Sequence, residues 1–276
     1  MTMIRIGVAG SGGRMGQEII AAVCADPRTT LVATYESPQH PRLGETAADG
    51  IFITTADNMK EHHLDALIDF TVPAASLQLT TLCEQHGVAS VIGTTGFTEA
   101  EKLRLHELSS SIAIVLAPNM SVGVNALFEL AEHAAKLLQA GALGGGYDME
   151  VFETHHRNKK DAPSGTALYM GELLARTTGV DFSTAAVHDR HGREYSRKEH
   201  EIGFSVVRGG DIVGEHRAIF AGNGEQLEIV HRSTSRTNYA IGALRAALFA
   251  ANATPGMYNM SAVLDVNKSP SITASL

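Results

Sequence analysis

A glycine-rich turn near the start of the chain constrains the fold more than any other part of the sequence. The turn, residues 10–16, reads GSGGRMG; it follows the alternating apolar residues of 4–8 and precedes a helical apolar pattern that stops before Asp26. A second β-rich run, residues 31–35, ends at Glu36. A strand, a glycine turn, a helix and a strand that ends in an acid are the typical opening of a dinucleotide-binding domain.

The turn reads Gly10-x-x-Gly13-x-x-Gly16, because Met15 stands where a strict GxGxxG motif would have glycine. The first glycine permits the tight turn, the second lets the backbone approach a pyrophosphate, and the third allows the helix to pack closely on the strand. Free N–H groups at the start of the helix then face the phosphates. A purely structural turn is the alternative, and the acid about twenty residues beyond Gly16 argues against it.

Glu36 is expected to bind the adenosine ribose and to select the cofactor. Its carboxylate accepts hydrogen bonds from a ribose diol but repels a 2′-phosphate. The next residue, Ser37, carries no positive charge, although Arg14 could reach a phosphate. The residues therefore favour NADH as the cofactor, with NADPH tolerated.

Two further cofactor-binding stretches are expected at the carboxyl ends of strands, where open α/β sheets bind ligands. They are Gly93, Thr94 and Thr95 after one apolar run, and Ala117, Pro118, Asn119 and Met120 after another. Small and polar residues there let a nicotinamide ring lie close and hydrogen-bond its carboxamide. An ordinary strand-ending turn is the alternative for each stretch taken alone.

The order of strand and helix patterns changes along the chain. Strand and helix patterns alternate through residues 66–117, which predicts a parallel sheet with helices on both faces. After helices predicted at 123–140 and 166–177, consecutive strands at 202–231 predict an open mixed sheet. A last helical pattern, 239–251, is expected to return to the first domain.

These patterns predict an α/β fold with two domains. Residues 1–122 and 237–276 are expected to form a Rossmann-like, parallel-sheet dinucleotide-binding domain. Residues 123–236 are expected to form a second α+β domain, built on an open mixed sheet, that binds the substrate. We expect hinges near the two boundaries, closing to exclude water, and a mobile loop in the polar stretch 181–201.

The densest chemistry lies in residues 153–166, which read ETHHRNKKDAPSGT. Two histidines, an arginine and two lysines follow a strand predicted over residues 147–153, and if that strand continues, His155 and His156 face opposite sides. Pro163 breaks the segment, and residues 164–166 then open a helix whose free N–H groups form a carboxylate cradle. Cationic side chains opposite a helix N-terminus suit a small dicarboxylate.

Other interpretations of the histidines and cysteines are less favoured. A zinc site is disfavoured because His-His-x-x-Lys lacks the HExxH spacing and neither cysteine is near; a solvated basic turn stays open as the other alternative. His62 and His63 are interpreted as a solvated helix face. Cys24 and Cys83, each in an apolar helical pattern, are expected to be buried reduced thiols rather than a disulfide framework.

The bulk composition limits the class of partner. The 276 residues are 44% hydrophobic and 19% charged, an ordinary globular balance. A formal net charge of −8 argues against nucleic acid and anionic membrane surfaces, which require clustered lysine and arginine. One local basic pocket can still bind an anionic substrate. Without a signal-peptide pattern or an apolar stretch of about 20 residues, the sequence predicts a soluble cytoplasmic protein.

Six segments resemble the 4-hydroxy-tetrahydrodipicolinate reductase (dihydrodipicolinate reductase) family of the diaminopimelate–lysine pathway, and the resemblance runs nearly end to end. They are GSGGRMG at 10–16, DFTVP at 69–73, IGTTGF at 92–97, APNMSVGVN at 117–125, HHRNKKDAPSGTA at 155–167 and RGGDIVGEH at 208–216. The long histidine segment is very specific. The resemblance implies NAD(P)H-dependent reduction of 4-hydroxy-tetrahydrodipicolinate to tetrahydrodipicolinate, and a homotetramer assembled through the second domain.

The resemblance also implies roles for individual residues. Cofactor binding falls on Gly10, Ser11, Gly12, Gly13, Arg14, Met15, Glu36, Gly93, Thr94, Thr95, Ala117, Pro118, Asn119 and Met120. His155 matches the family's proton donor/acceptor and Lys159 its proton donor, while substrate binding falls on His156, Gly165 and Thr166. Ser37 departs from the basic residue that the family often carries after the ribose acid.

The implied chemistry agrees with the residue types. A dihydropyridine donates hydride to a conjugated cyclic imine, and the developing charge must be met by a proton. The Lys159 ammonium suits charge stabilisation and proton delivery, and an imidazole suits acid–base work near neutral pH. Two competing functions are a Rossmann dehydrogenase for open-chain amino or semialdehyde acids, which leaves the histidine segment unexplained, and a non-catalytic dinucleotide sensor, which needs no basic cluster.

Overall fold

The structure is a computed structural model, which describes residues 3–140, 146–192, 194 and 196–264. The chain divides into two compact units. One contains the residues up to Val122 together with those from Arg236 onward, and the other is Gly123–Ser235. In the described part of the chain, every helix is too short or too polar to cross a lipid bilayer.

The described residues form thirteen strands and eight α-helices. The strands are β1 Ile4–Ala9, β2 Thr29–Tyr35, β3 Thr46–Ala48, β4 Ile51–Thr54, β5 Ala66–Asp69, β6 Ala89–Ile92, β7 Ala113–Leu116, β8 Asp148–His155, β9 Ala186–Val187, β10 Ile202–Arg208, β11 Gly214–Gly222, β12 Glu225–Ser233 and β13 Gly256–Tyr258. The helices are α1 Arg14–Ala25, α2 Pro73–His86, α3 Glu99–Leu108, α4 Val122–Ala140, α5 Gly165–Thr178, α6 Phe182–Ala185, α7 Thr237–Ala250 and α8 Met260–Leu264.

The first unit is built on an eight-stranded sheet in the order β13-β7-β6-β5-β1-β2-β4-β3. Every neighbouring pair is parallel except β3 and β4, so the predicted Rossmann-like parallel sheet is confirmed. The strand order reverses between β1 and β5, which is the point where open α/β sheets bind ligands. Gly10 follows β1 directly at that point.

Apolar clusters cover both faces of this sheet, because its central strands are apolar on both sides. On one face Val8 and Val115 pack with Ile19 of α1 and Leu244 of α7. The opposite face has its own cluster, which includes Leu67 of β5, Ile92 of β6 and Leu105 of α3. The glycine turn therefore rests on a rigid layer.

The second unit is built on a five-stranded sheet in the order β12-β11-β8-β10-β9. β10 is parallel to β8 and β9, while β11 is antiparallel to β8 and β12, so the predicted open mixed sheet is confirmed. Alternate residues of β8, Met149 and Val151, are buried in a core with Leu127 of α4 and Leu174 of α5. β8 continues to His155, two residues beyond its predicted end.

Three details differ from the predictions. Strands β3 and β4 and a 3₁₀ helix over Ala56–His62 occupy a region with no predicted element. The stretch 181–201, expected to be a loop, contains α6 and β9, and Arg190 within it forms an ion pair with Glu150 of β8. Cys24 is exposed rather than buried, because α1 turns Ile19, Ile20 and Val23 to the core.

Candidate active site

The glycine turn has the geometry of a phosphate cradle. Gly10 adopts a φ of +76°, and a Cβ there would lie 2.5 Å from the Phe70 carbonyl oxygen. A Cβ on Gly16 would lie 2.2 Å from the Gly10 oxygen, so only glycine lets α1 start this close to β1. Gly13 caps α1 without a side-chain hydrogen bond, which leaves the first amides of the helix to a ligand.

A cavity of about 510 Å³ lies beside this turn, lined by residues that include Gly13, Tyr35, Glu36, Ser37 and Thr71. One carboxylate oxygen of Glu36 accepts a hydrogen bond from the Gly12 amide at 2.8 Å, and the His40 imidazole lies 4.0 Å from it. The second carboxylate oxygen lies 3.3 Å from the Ser37 amide. This acid, fixed against the turn and facing a cavity of ligand size, fits an adenosine ribose.

The turn's remaining predicted residues differ in exposure. Ser11 is buried, and its hydroxyl donates to the Tyr35 carbonyl oxygen, so it fixes the turn to β2. Arg14 is exposed at the first position of α1. Met15 is half-buried and packs against the core on the α1 side of the sheet.

The two strand-ending stretches lie after adjacent parallel strands, β6 and β7. A Cβ on Gly93 would lie 2.3 Å from the Phe70 ring, so that position requires glycine. The buried Thr94 hydroxyl accepts a hydrogen bond from the Thr71 amide at 2.9 Å, which joins the ends of β5 and β6, whereas Thr95 is exposed.

In the stretch after β7, two buried residues flank two that are exposed or half-buried. Ala117 and Met120 are buried in the core, Pro118 is exposed, and the Asn119 side chain accepts the Ser121 amide at 2.9 Å. Asn119 and Pro118 therefore offer more to a ligand than their two buried neighbours do.

In the second unit, the end of β8 carries a buried charged cluster. Glu153 is 1% exposed, and the Arg208 guanidinium contacts its two oxygens at 2.7 Å each. His155, also buried, places Nδ1 2.5 Å from Glu153 Oε2, and the Ser164 amide donates to Oε1 at 2.9 Å. Burial raises the pKa of Glu153, but the hydrogen bonds from these three donors outweigh it and hold the pKa at about 2.

His216 adds a second buried imidazole next to the first. Its ring lies edge-on to that of His155, with 5.0 Å between centroids, and its Nε2 is 3.1 Å from the Ser164 hydroxyl. Burial lowers the pKa of His216 to about 3, and the nearby His155 and Lys159 contribute to the lowering. His216 is therefore neutral at physiological pH, and the three residues share one electrostatic neighbourhood.

Lys159, the second predicted catalytic residue, lies in the turn after β8. Its ammonium is 3.0 Å from Asp161 Oδ2, and its backbone amide donates to the carbonyl oxygen of His156. His156 itself is half-buried. Burial raises the pKa of Asp161, but the Lys159 ammonium outweighs burial and lowers the pKa below its ordinary value. A carboxylate ligand would therefore compete with Asp161 for this cation.

Helix α5 begins directly after this turn. Ser164 is its N-cap, with a hydroxyl that accepts the Ala167 amide at 3.2 Å, while Gly165 is exposed and Thr166 is buried. The exposed backbone at Gly165 leaves the helix N-terminus accessible to an anion. The second unit thus holds His155, Lys159 and the start of α5 in one segment between β8 and α5, and their catalytic and binding roles stay a prediction.

Sequence reasoning did not single out Glu153, Asp161, Arg208 or His216 as site residues. A signal for Glu153 was present, because a glutamate follows Met149 and Val151 in the inward-facing register of β8. Asp161 lies in the turn after β8, within the predicted segment. Arg208 and His216 reach Glu153 from β10 and β11 through strand pairing, in which Arg208 lies opposite His155 and His216 opposite Glu153.

Comparisons with known proteins identify the family of the chain. Two family models, described as "Dihydrodipicolinate reductase, N-terminus" and "Dihydrodipicolinate reductase, C-terminus", match residues 4–120 and 123–264. A 4-hydroxy-tetrahydrodipicolinate reductase of Nitrosomonas eutropha is 47% identical over 270 residues, 96% of this chain and 99% of the relative. One from Dechloromonas aromatica is 46% identical with the same two coverages.

A solved structure with the same fold is the dipicolinate-bound dihydrodipicolinate reductase of Paenisporosarcina sp. TG-14, with a TM-score of 0.75 and 24% identity. The alignment covers 94% of this chain and 98% of that one. The fold and the site define a reductase that uses a nicotinamide dinucleotide bound to a Rossmann-like unit. The chain belongs to the dihydrodipicolinate reductase family, which confirms the resemblance inferred from its motifs.

Proposed function

We propose that this chain reduces 4-hydroxy-tetrahydrodipicolinate to tetrahydrodipicolinate in the diaminopimelate route to lysine. The observation that carries the proposal is the end of β8, where buried His155 and the Lys159 ammonium lie in the same segment as the accessible start of α5. A cyclic dicarboxylate with an imine needs anion-binding groups and a proton source together, and this segment supplies both.

The first unit is the cofactor domain in this proposal. The turn at residues 10–15 would hold the pyrophosphate, with the Arg14 and Met15 amides at the start of α1 as donors. Glu36 would hold the adenosine ribose, and Gly93–Thr95 with Ala117–Met120 the nicotinamide half. When bound, the reduced nicotinamide supplies the hydride. Because Glu36 faces the ribose and Ser37 is uncharged, NADH is the preferred cofactor and NADPH is accepted less well.

The second unit binds the substrate. One substrate carboxylate accepts hydrogen bonds from the N-terminal backbone of α5 at Gly165 and Thr166, and His156 contributes from the adjoining turn. A carboxylate also draws the Lys159 ammonium away from Asp161, which costs little because Asp161 is exposed to water.

The proton needed at the substrate ring comes from the same turn. Lys159, as an ammonium, stabilises the negative charge that develops on the ring and donates a proton, and His155 acts as a proton donor or acceptor. The ionised Glu153 lies 2.5 Å from His155 Nδ1, so the imidazole stands beside a fixed negative charge inside a buried site.

The second unit is also the oligomerisation domain of the proposed homotetramer. Val207 of β10 and Val230 of β12 are exposed apolar side chains on its sheet, as expected of a surface that pairs with other copies. Light scattering coupled to size exclusion would give the mass of the assembly.

An enzyme of amino-acid biosynthesis with a nicotinamide cofactor belongs in the cytoplasm, where both its substrate and its cofactor are available.

The decisive experiment is an absorbance assay at about 340 nm, where reduced nicotinamides absorb, with freshly generated 4-hydroxy-tetrahydrodipicolinate and with NADH and NADPH in parallel. Steady oxidation that depends on the substrate is expected. Oxidation with an open-chain semialdehyde acid instead would favour the competing dehydrogenase. Tight cofactor binding without turnover of either substrate would favour the dinucleotide sensor.

A further inference from the structure

We infer that Glu153 is a positioning residue, whose single carboxylate both orients the His155 ring and fixes the start of α5, so that the proton-transferring imidazole and the carboxylate cradle keep one relative placement. The inference rests on the proposed function for the role of His155. The geometry of the carboxylate itself does not depend on that role.

The Glu153 carboxylate has a donor in each of four directions. Oε1 accepts the Ser164 amide at 2.9 Å and one Arg208 nitrogen at 2.7 Å. Oε2 lies 2.5 Å from His155 Nδ1 and 2.7 Å from the other Arg208 nitrogen. Two parallel contacts from one guanidinium fix the plane of the carboxylate, and that plane then determines where the imidazole and the amide must lie.

The charge of this carboxylate decides the tautomer of His155. Glu153 is ionised at neutral pH, so it can only accept hydrogen bonds. Nδ1 of His155 must therefore carry hydrogen, and Nε2 is left as the nitrogen that can accept or donate a proton at the substrate. In many enzyme sites a carboxylate fixes the tautomer of a catalytic histidine by accepting a hydrogen bond from the ring nitrogen that faces away from the substrate.

The same carboxylate reaches the substrate cradle through Ser164. Ser164 is the N-cap of α5, and its backbone amide is bound to Glu153 while its hydroxyl accepts from Ala167 and lies 3.1 Å from His216. Displacing Glu153 would therefore move the first turn of α5 as well as the imidazole. The sequence separates Glu153 from Ser164 by a polar turn, and this one contact joins the two ends of that turn.

A purely structural ion pair is the alternative explanation, since Arg208 and Glu153 would stabilise the end of the sheet without any effect on catalysis. The two explanations differ in what they predict for His155. A structural pair predicts lower stability only, whereas a positioning residue also predicts a change in the His155 tautomer and a lower kcat.

The test compares Glu153→Gln with Glu150→Gln. Glu150 lies on the same strand with its carboxylate bound to Arg190 and Arg197, so it is a matched control for losing a carboxylate that binds arginine. Glu150 is an odd number of residues away from both Glu153 and His155, so its side chain lies on the opposite face of β8. A double variant, Glu153→Gln with Arg208→Met, removes both charges and avoids leaving the half-buried guanidinium without its carboxylate if the single variant fails to fold.

The first readout is the ¹⁵N spectrum of histidine-labelled full-length protein, in which His155 is assigned through His155→Gln. The wild type and Glu150→Gln are expected to show a single Nδ1–H tautomer, and Glu153→Gln a mixture or the Nε2–H form. The second readout is steady-state kinetics: Glu153→Gln is expected to lower kcat by about 10–100-fold and to change KM by less than about threefold, because the glutamine oxygen can still accept the Ser164 amide at the start of α5.

The outcomes separate the two proposals. A folded Glu153→Gln variant, or the double variant, that keeps the Nδ1–H tautomer and a kcat within about threefold of the wild type overturns the positioning role. If His155→Gln turns over normally, the proton-transfer role in the proposed function fails. The tautomer comparison still decides whether Glu153 orients the ring, because it needs no turnover.

Discussion

Replacing His216 with a side chain that cannot titrate should make the free energy of unfolding less sensitive to acid. His216 is 2% exposed and its pKa is lowered to about 3, mainly by burial, against an ordinary value of 6.5. Between these two values the unfolded chain binds a proton that the folded chain does not. The free energy of unfolding therefore rises with pH through this window and falls on acidification.

The magnitude follows from the two pKa values. At about pH 5 the unfolded imidazole is almost fully protonated and the folded one is almost fully neutral, a difference of about 1.5 pH units below the unfolded pKa. Each unit corresponds to about 1.4 kcal/mol, so His216 should cost the wild type about 2 kcal/mol at about pH 5 relative to about pH 8. Glu153 does not affect this comparison, because its contribution to the free energy of unfolding is lost only as the pH falls from 4.5 toward about 2.

The perturbation is His216→Gln, which cannot titrate and still offers a hydrogen bond to the Ser164 hydroxyl. Urea unfolding, followed by far-ultraviolet circular dichroism at one fixed protein concentration, gives the free energy of unfolding at each pH. The variant is expected to lose about 2 kcal/mol less than the wild type between the two pH values. His106→Gln, at an exposed position of α3, is the control and should behave as the wild type does. Equal losses in the wild type and His216→Gln, within about 0.5 kcal/mol, would refute a buried neutral His216.

Four further outcomes are expected. Lys159→Ala should lower kcat by ~10²–10³ in the steady-state assay, and a change below about threefold would remove Lys159 from the mechanism. The kcat/KM for NADH should exceed that for NADPH, and a preference for NADPH above about tenfold would contradict the role given to Glu36. Asp69 is fully buried, its pKa is raised by that burial, and one of its oxygens has no hydrogen-bond partner in the described part of the chain. The contribution of Asp69 to the free energy of unfolding therefore falls as the pH rises. Asp69→Asn should leave Tm unchanged or higher at neutral pH, and a lower Tm would show that the fold stabilises the ionised form. Small-angle scattering should show a smaller radius of gyration with both ligands bound, and identical values with and without them would exclude closure.

The Rossmann-like sheet could be predicted because each of its signals is local. An apolar strand, a glycine turn and a helix lie in one continuous stretch, and their periods differ clearly. The region of β3, β4 and the 3₁₀ helix gave no such signal, since β3 and β4 follow each other without the intervening helix that marked the equally short β5, β6 and β7. Order in the stretch 181–201 depends on distant contacts, the ion pairs of Arg190 and Arg197 with Glu150, which no local pattern shows.

The residues of the candidate site likewise fall into those that a local motif predicts and those that only strand pairing brings together. His155 and Lys159 lie in one motif, so the sequence placed them near each other before any fold was known. Arg208 and His216 stand more than about fifty residues further along, and only the register of β10 and β11 against β8 brings them to Glu153. Register depends on which strands pair and how far each is shifted, and a single sequence does not contain that information directly.

The row of inward-facing side chains on β8 explains why folding and chemistry are coupled in the second unit. Met149 and Val151 close the core, and Glu153 and His155 continue the same row into a region that is just as buried but charged. Burial there is tolerated only while Glu153 is ionised against Arg208 and while His216 stays neutral. The stabilisation from ionised Glu153 is lost only as the pH falls from 4.5 toward about 2, but the free-energy cost of keeping His216 neutral already grows below 6.5. The neutral imidazole therefore sets the acid limit of the assembled site, and acid should disrupt the His155 environment before it protonates the carboxylate that supports it.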